Sequence, residues 1–431
     1  MKIANWAGTR TYNPEKTFSP RNEEEVCQIV KNTVKEGRKL KVIGSGLSFS
    51  DAPAIEQDVL ILNNMSNILK INKEEPKITV QGGANIREIN RQLAENGLGF
   101  KNFGSIVMQT AAGYTGTATH GTGIRTQILS ADITEMKLVD GSGNPQTLNR
   151  NQNPELFNYA RVHLGLLGII TEITFDCKKA FDVEEELKLL DFDTVLANLN
   201  KILQENEYCK LWWMPHTNKI QVYTYNSTTR PRTRTSLKDF LETSGLSTVG
   251  FSALIYLSRL YPKMTTVMNQ IIQSSYFTPH IRRNQSDALF NISKMIPTHD
   301  EMEYAIPIEN AAKAIDETRN LIQRNKHFVN FPMEVRFVAQ DDIPLSPAYQ
   351  RDICYIGAYT SIPKLAEAYF RDFENMVKPY QGRPHWGKNF YLTSEEFQKI
   401  YPKFHEFSAM RKNIDPNNIF SNRFSKRVFG Y

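Results

Sequence analysis

Cysteine is scarce in this chain, the charge excess is small, and no apolar run is long. The four cysteines, Cys27, Cys177, Cys209 and Cys354, stand far apart in 431 residues, with no C-x-x-C pair. That spacing argues against a zinc site or redox dithiol and offers no disulfide framework. Lysine plus arginine number 52 against 46 aspartates and glutamates, too mild an excess to argue for nucleic acid without a clustered patch. The longest apolar patch, Thr248 to Leu257, is about half the roughly 20 residues that a bilayer span needs. Residues 1–17 lack the apolar h-region of a secretory leader. A soluble, cytoplasmic protein of a reducing compartment is the expectation. Hydrophobic residues at 40% and charged residues at 23% suffice for a sizeable core and exclude wholesale disorder. The length suits two large domains or three ordinary ones.

Apolar spacing in the first third alternates between helical and extended. Glu23 to Glu36 and Ile86 to Asn96 read as helices, the second closed by Gly97. Lys39 to Ile43, Val59 to Leu62, Ile68 to Ile71 and Lys77 to Val80 read as short strands. Ile133 to Val139 turns at Asp140-Gly141 into a hairpin partner, Pro145 to Leu148. Leu167 to Phe175 is again strand-like. The pattern is α+β and not a regular βαβ array. Lys178 to Leu190 crosses into a second domain. There Phe192 to Glu205 reads as a helix, Leu211 to Tyr225 as strands, and Phe251 to Phe277 as apolar helix. Ile308 to Asn325 reads as an amphipathic helix and Val335 to Ala339 as a strand. The tail, Thr393 to Arg411, reads as helix ending at Asp415-Pro416.

Three segments have the small residues that let backbone approach a ligand. Gly44-Ser45-Gly46-Leu47-Ser48 follows a strand, and its N–H groups and hydroxyls suit a diphosphate. Phe49 occupies the third glycine position of G-x-G-x-x-G, so a Rossmann site is disfavoured; alone, the loop reads as a tight turn. Gln109 to Gly123 carries almost only small or hydroxylated side chains, which cannot fill a core and do suit ligand contact. Val162 to Thr171 places Gly165 and Gly168 beside an apolar strand, where core packing is the plain reading.

Together these segments resemble the FAD domain of the vanillyl-alcohol-oxidase type of flavoprotein. Met333-Glu334-Val335-Arg336-Phe337, Gln350-Arg351-Asp352 and Gly382-Arg383-Pro384-His385-Trp386-Gly387-Lys388 are similar to the sugar-1,4-lactone oxidase branch. The likeness runs from about Asn5 to the last residues and is weakest from Ser227 to Asp300. It implies a two-subdomain FAD-binding domain plus an α+β substrate cap. The expected boundaries are 1–177 for the FAD domain, 178–380 for the cap, and 381–431 for a segment returning to the FAD domain. The FAD-binding residues implied are Gly44, Ser45, Gly46, Leu47, Ser48, Thr110, Gly113, Gly116, Thr117, Ala118, His120, Gly121, Gly168, Ile169, His385 and Lys388. Leu47 stands where many members have a histidine bonded to the flavin. Leucine has no nucleophilic atom, so noncovalent FAD is expected. Ala118 stands where the branch tends to have glycine. A methyl at the flavin edge would hinder oxygen, so sluggish oxygen use and a preference for another acceptor are expected; the candidate acceptors are oxygen, a quinone or a cytochrome.

The implied reaction moves a hydride from a sugar 1,4-lactone of the L-gulono, L-galactono or D-arabinono type to flavin N5. Glu334, Arg336 and Lys388 are the expected catalytic residues. Glu334 and Arg336 project from one strand face; by spacing alone they read as a surface ion pair, and the resemblance reverses that. His120 and His385 are expected to be structural, near the isoalloxazine. Asp341-Asp342 lacks His or Cys at ligand spacing, so no metal is expected. Two other functions remain: an alditol (polyol) oxidase, and a non-enzymatic flavin-binding protein at a membrane. The second rests on Arg230, Arg232 and Arg234 before the apolar 251–261 stretch, a pattern that can dock on anionic lipid. The preferred reading of that stretch is a solvated loop beside a buried cap helix.

Overall fold

The computed structural model describes residues 2–233, 245–291 and 297–430. Arg234 therefore lies outside the described residues. Glu23–Lys35 forms a helix because Val26 and Val30 share one face and Asn22 caps its start. It connects Thr17–Phe18 to Leu40–Ile43, and these strands flank Asp58–Ile61 in a parallel three-stranded sheet. A second sheet is antiparallel and has five strands, in the order Pro145–Asn149, Ile133–Val139, Ile169–Asp176, Lys77–Gln81, Ile68–Asn72.

The third sheet has eight antiparallel strands. Their order is His280–Gln285, Asp182–Asp191, Lys219–Thr228, Tyr208–Trp213, Met333–Val338, Ile353–Thr360, Asp300–Pro307, Arg383–Pro384. The fold is α+β, an N-terminal region of two smaller sheets plus a large antiparallel sheet. One sheet face carries Leu211, Trp213, Val335, Phe337, Ile356 and Tyr304, buried against helices Ala311–Arg324 and Pro363–Val377. Alternation puts the charged residues of the same strands on the other face. The chain end packs back on its beginning: Asn422 Nδ2 donates to Ala52 O and Ala54 O, and Leu40 N to Ile419 O.

Several expected elements differ. Phe251–Phe277 is two helices, Gly245–Leu260 and Thr265–Tyr276. The tail is also two, Ser394–Ile400 and Phe404–Ile414. Both breaks hold a proline, Pro262 and Pro402, which has no N–H for the helix ladder. Phe192–Glu205 breaks at Asn198, whose Nδ2 donates to Thr194 O at 2.9 Å. The expected cap helix is not buried on its outer side: Leu260 is 73% exposed. Arg230 and Arg232 are paired with Glu184 and Asp182.

Candidate active site

Three small-residue segments meet at a cavity of about 510 Å³, within the usual range of roughly 300–1,000 Å³ for ligand sites. The loop after Leu40–Ile43 turns at Gly46, with φ of +70°. A Cβ on Gly44 would lie 2.5 Å from Thr110 Oγ1, so glycine is what lets this loop meet the second segment. That segment is not wholly loop. Ala111–Gly116 is a short helix capped by Thr110, whose Oγ1 accepts from Gly113 N at 3.3 Å. Gly168 closes the third segment at φ +151°, with its backbone pressed on Val139 O.

Lys41 and His163 stand in the same wall. Lys41 Nζ is buried and donates to Leu164 O at 3.0 Å, and burial brings its ammonium down to about 8. His163 is held neutral by burial, at about 3, and its Nδ1 has no hydrogen-bond partner. A buried ammonium, an orphaned imidazole nitrogen and a glycine-backed wall suit a long ligand with a diphosphate and flat rings. FAD is such a ligand.

Elsewhere the wall is built by the polar face of the large sheet. Register pairs Trp212 with Glu334, Lys210 with Arg336, Arg336 with Tyr355, Glu303 with Gly357, and Glu301 with Tyr359. Arg336 is tied to Glu334 and donates to His120 O at 3.4 Å. Glu334 also accepts from Trp212 Nε1 at 2.9 Å. Burial opposes charge on Glu334, but the Arg336 guanidinium outweighs it and holds the carboxyl below its ordinary range. Glu303 faces His120 Nε2 at 3.4 Å. Burial would raise Glu303, yet His120, His385 and Arg336 bring it down to about 2.

Hydrogen bonds set the imidazole tautomers. His120 Nδ1 donates to Gly121 O at 3.0 Å while its ring stacks on Tyr355 at 3.6 Å. Gly387 N donates to His385 Nδ1 at 2.9 Å, so the His385 proton sits on Nε2. Burial brings His385 down to about 4. Lys388 is paired with Glu301; burial brings its ammonium down to about 7, while the charge of Asp300 works the other way. His120, Glu303 and His385 have the spacing of a metal-ligand trio. Within it His120 Nε2 lies 3.4 Å from Glu303, and His385 Nδ1 accepts from Gly387 N.

Gly44 to Ser48, Thr110, Gly113, Gly116, Thr117, His120, Gly168, Arg336, His385 and Lys388 all line this one cavity. Four expected residues stand behind its wall. Ala118 is buried in the apolar core at φ +57°, so its methyl is not on the cavity surface. Gly121 is pressed against Asn102, Ile169 packs with Val139 and Leu60, and Glu334 is paired with Arg336. Asp341 caps a turn, accepting from Ile343 N and Ser346 Oγ. Sequence reasoning passed over Lys41, His163, Glu303 and Tyr359. A signal for Glu303 was present: Glu301 and Glu303 alternate with Met302, Tyr304 and Ile306, which puts two acids on one face of an apolar strand.

Residues 173–428 match the family described as D-arabinono-1,4-lactone oxidase, and residues 14–149 match an FAD binding domain. The chain is 32% identical to L-gulonolactone oxidase of Scyliorhinus torazame, covering 99% of this chain and 98% of that one. It is 30% identical to L-gulono-1,4-lactone dehydrogenase of Mycobacterium tuberculosis, covering 99% of each. With D-arabinono-1,4-lactone oxidase of Kluyveromyces lactis it shares 26%, over 96% and 94% of the two chains. Cholesterol oxidase from Brevibacterium sterolicum has the same fold, with a TM-score of 0.85 at 15% identity over 99% and 96% of the chains. A cradle for FAD beside an acid–base face, matched over the full length at this identity, makes the chain a member of the FAD-dependent aldonolactone oxidase and dehydrogenase family.

Proposed function

We propose that the protein oxidises a sugar 1,4-lactone of the L-gulono, L-galactono or D-arabinono type, using FAD held without a covalent bond. The observation that carries this reading is the single cavity in which the glycine segments adjoin Arg336, His120, Glu303, His385 and Lys388. FAD, held by the glycine segments, would supply the hydride-accepting chemistry. The protein's own groups supply position and charge. Arg336, kept ionised by Glu334, is a fixed cation for negative charge that develops in the transition state. His385 offers an Nε2–H donor to a sugar or cofactor oxygen. Lys388 exchanges a proton near neutral pH and so serves the hydroxyl that is losing its own. Leu47 on the wall supports noncovalent FAD, because it offers no nucleophile.

The test is anaerobic reduction of the FAD-loaded protein by L-gulono-, L-galactono- and D-arabinono-1,4-lactone, with xylitol and sorbitol as rival substrates. Oxygen, a quinone or a cytochrome is then mixed in. Bleaching by a lactone and not by the polyols supports the reading; bleaching by polyols alone replaces it with alditol oxidation. The fastest reoxidant identifies the acceptor.

A further inference from the structure

Behind Lys388 the structure buries two further titratable groups in a row. Glu301 stands on the same face of the strand Asp300–Pro307 as Glu303, and His299 immediately precedes that strand. Both side chains are buried. Rings enclose the imidazole: the centroid of Phe331 lies 4.3 Å away, Trp6 5.2 Å, and Phe49 and Tyr359 each 6.0 Å. His299 Nε2 is 2.7 Å from Glu301 Oε1, and the other carboxyl oxygen, Oε2, meets Lys388 Nζ. The backbone fixes this pairing, because Asn389 N donates to Glu301 O at 3.0 Å. Lys388 lines the cavity, so the three groups form a chain that leads away from it.

Counting protons shows what the chain holds. His299 Nδ1 is 2.8 Å from Pro297 O, which can only accept. A ring proton therefore sits on Nδ1. The neutral imidazole would then turn a bare Nε2 lone pair towards a carboxyl oxygen at 2.7 Å. Two lone pairs repel at that distance, so the contact contains one more proton. It rests either on Nε2, giving imidazolium and carboxylate, or on Glu301, giving two neutral groups. Burial opposes the imidazolium and brings His299 down to about 4, which places the proton on Glu301 Oε1 in the resting protein. Lys388 and Asp300 also bear on His299, in opposite directions.

We propose, resting on the lactone oxidation proposed above, that Glu301 and His299 are positioning residues that pass the substrate's hydroxyl proton inward from Lys388. As the substrate O–H bond breaks, neutral Lys388 Nζ takes the proton. Lys388 passes a proton to Glu301 Oε2 while Glu301 Oε1 gives its own to His299 Nε2. Glu301 ends protonated as it began, Lys388 ends neutral, and His299 ends as imidazolium. The O–H electron pair closes the C=O bond, and the C–H pair leaves with the hydride to the flavin. A carboxyl between two nitrogen bases does this without rotating, because each oxygen already faces one of them.

The FAD-loaded full chain with histidine labelled by nitrogen-15 is measured by NMR, and His299→Gln assigns the His299 signals. Nδ1 is expected to be protonated, and Nε2 to fall between the shifts of a bare and a protonated ring nitrogen, as a shared proton gives. Glu301→Gln, whose amide donates but releases no proton, should return Nε2 to the bare value. A bare Nε2 in the native protein overturns the proposal. A second arm follows anaerobic reduction by L-gulono-1,4-lactone in mixtures of light and heavy water. The native rate is expected to curve with deuterium fraction, as when more than one proton moves. In Glu301→Gln and His299→Gln it should fall linearly, with reduction slowed about tenfold or more, short of the roughly hundredfold that loss of the base itself would cost. A linear native response, or equal curvature in all three proteins, overturns the relay. The NMR arm uses no substrate, so a protein that no lactone reduces loses the proposed function while the shared proton is still decided.

Discussion

Replacing Glu303 with glutamine removes one buried negative charge and keeps the side-chain shape. In the native fold its carboxyl is brought from the ordinary 4.5 to about 2 by His120, His385 and Arg336, against the cost of burial. That difference corresponds to about 3 kcal/mol of folding stability. The sign follows from the folded state holding the proton less tightly. The contribution is full above about pH 4.5 and is lost as pH falls towards 2. Unfolding entropy of about 2.1 cal/mol/K per residue gives about 0.9 kcal/mol/K for 431 residues. Glu303→Gln should therefore melt about 3–4 °C below the native protein at pH 7. At pH 3 the unfolded-state carboxyl is already mostly protonated while the folded one is still mostly ionised, so the advantage is partly lost and the gap should be less than half as large. Scanning calorimetry at the two pH values measures this directly. A gap of equal size at both would mean that packing and not charge holds Glu303, and no gap at pH 7 would refute the electrostatic reasoning altogether.

Arg336→Ala should slow reduction of the flavin by lactone about a hundredfold or more while FAD stays bound, as when one preorganised charge contact is lost; anaerobic stopped-flow absorbance measures it, and a near-native rate removes Arg336 from the site. Acid precipitation should leave all yellow colour in the supernatant, and colour in the pellet would show a covalent link despite Leu47. Lys41→Met should weaken FAD binding to the apoprotein about 10- to 100-fold, the worth of one charge-assisted hydrogen bond, with little effect on riboflavin, which lacks the phosphates. Equal losses for both ligands in a fluorescence titration would mean that Lys41 is structural.

Element types were legible wherever periodicity was undisturbed. Val26 and Val30 mark the first helix, and Ile133 to Val139 with Asp140-Gly141 marks the hairpin, because each depends on neighbours in sequence. Boundaries slipped where a single residue overruled the pattern, as at Pro262, Pro402 and Asn198. The pair Glu334 and Arg336 was legible only as a motif, since its i, i+2 spacing occurs equally on solvated strands. Lys41 and His163 were hidden for the opposite reason: each sits in an apolar run, and nothing local says that a cavity lies in front of it.

By itself the amino-acid sequence determined the α+β character, the three small-residue segments, and the hydrocarbon side chain at position 47. These follow from side-chain size, chemistry and period. Only the tertiary structure decided that the segments share one cavity, that Glu303 faces His120, and that Ala118 lies behind the wall. It also decided that the second face of the 245–276 helices is left to solvent. Strand register brings residues together from positions more than 200 apart, as Arg336 meets His120 O across 216 residues. Electrostatic coupling depends on that distance in space and on burial, neither of which composition or spacing along the chain carries.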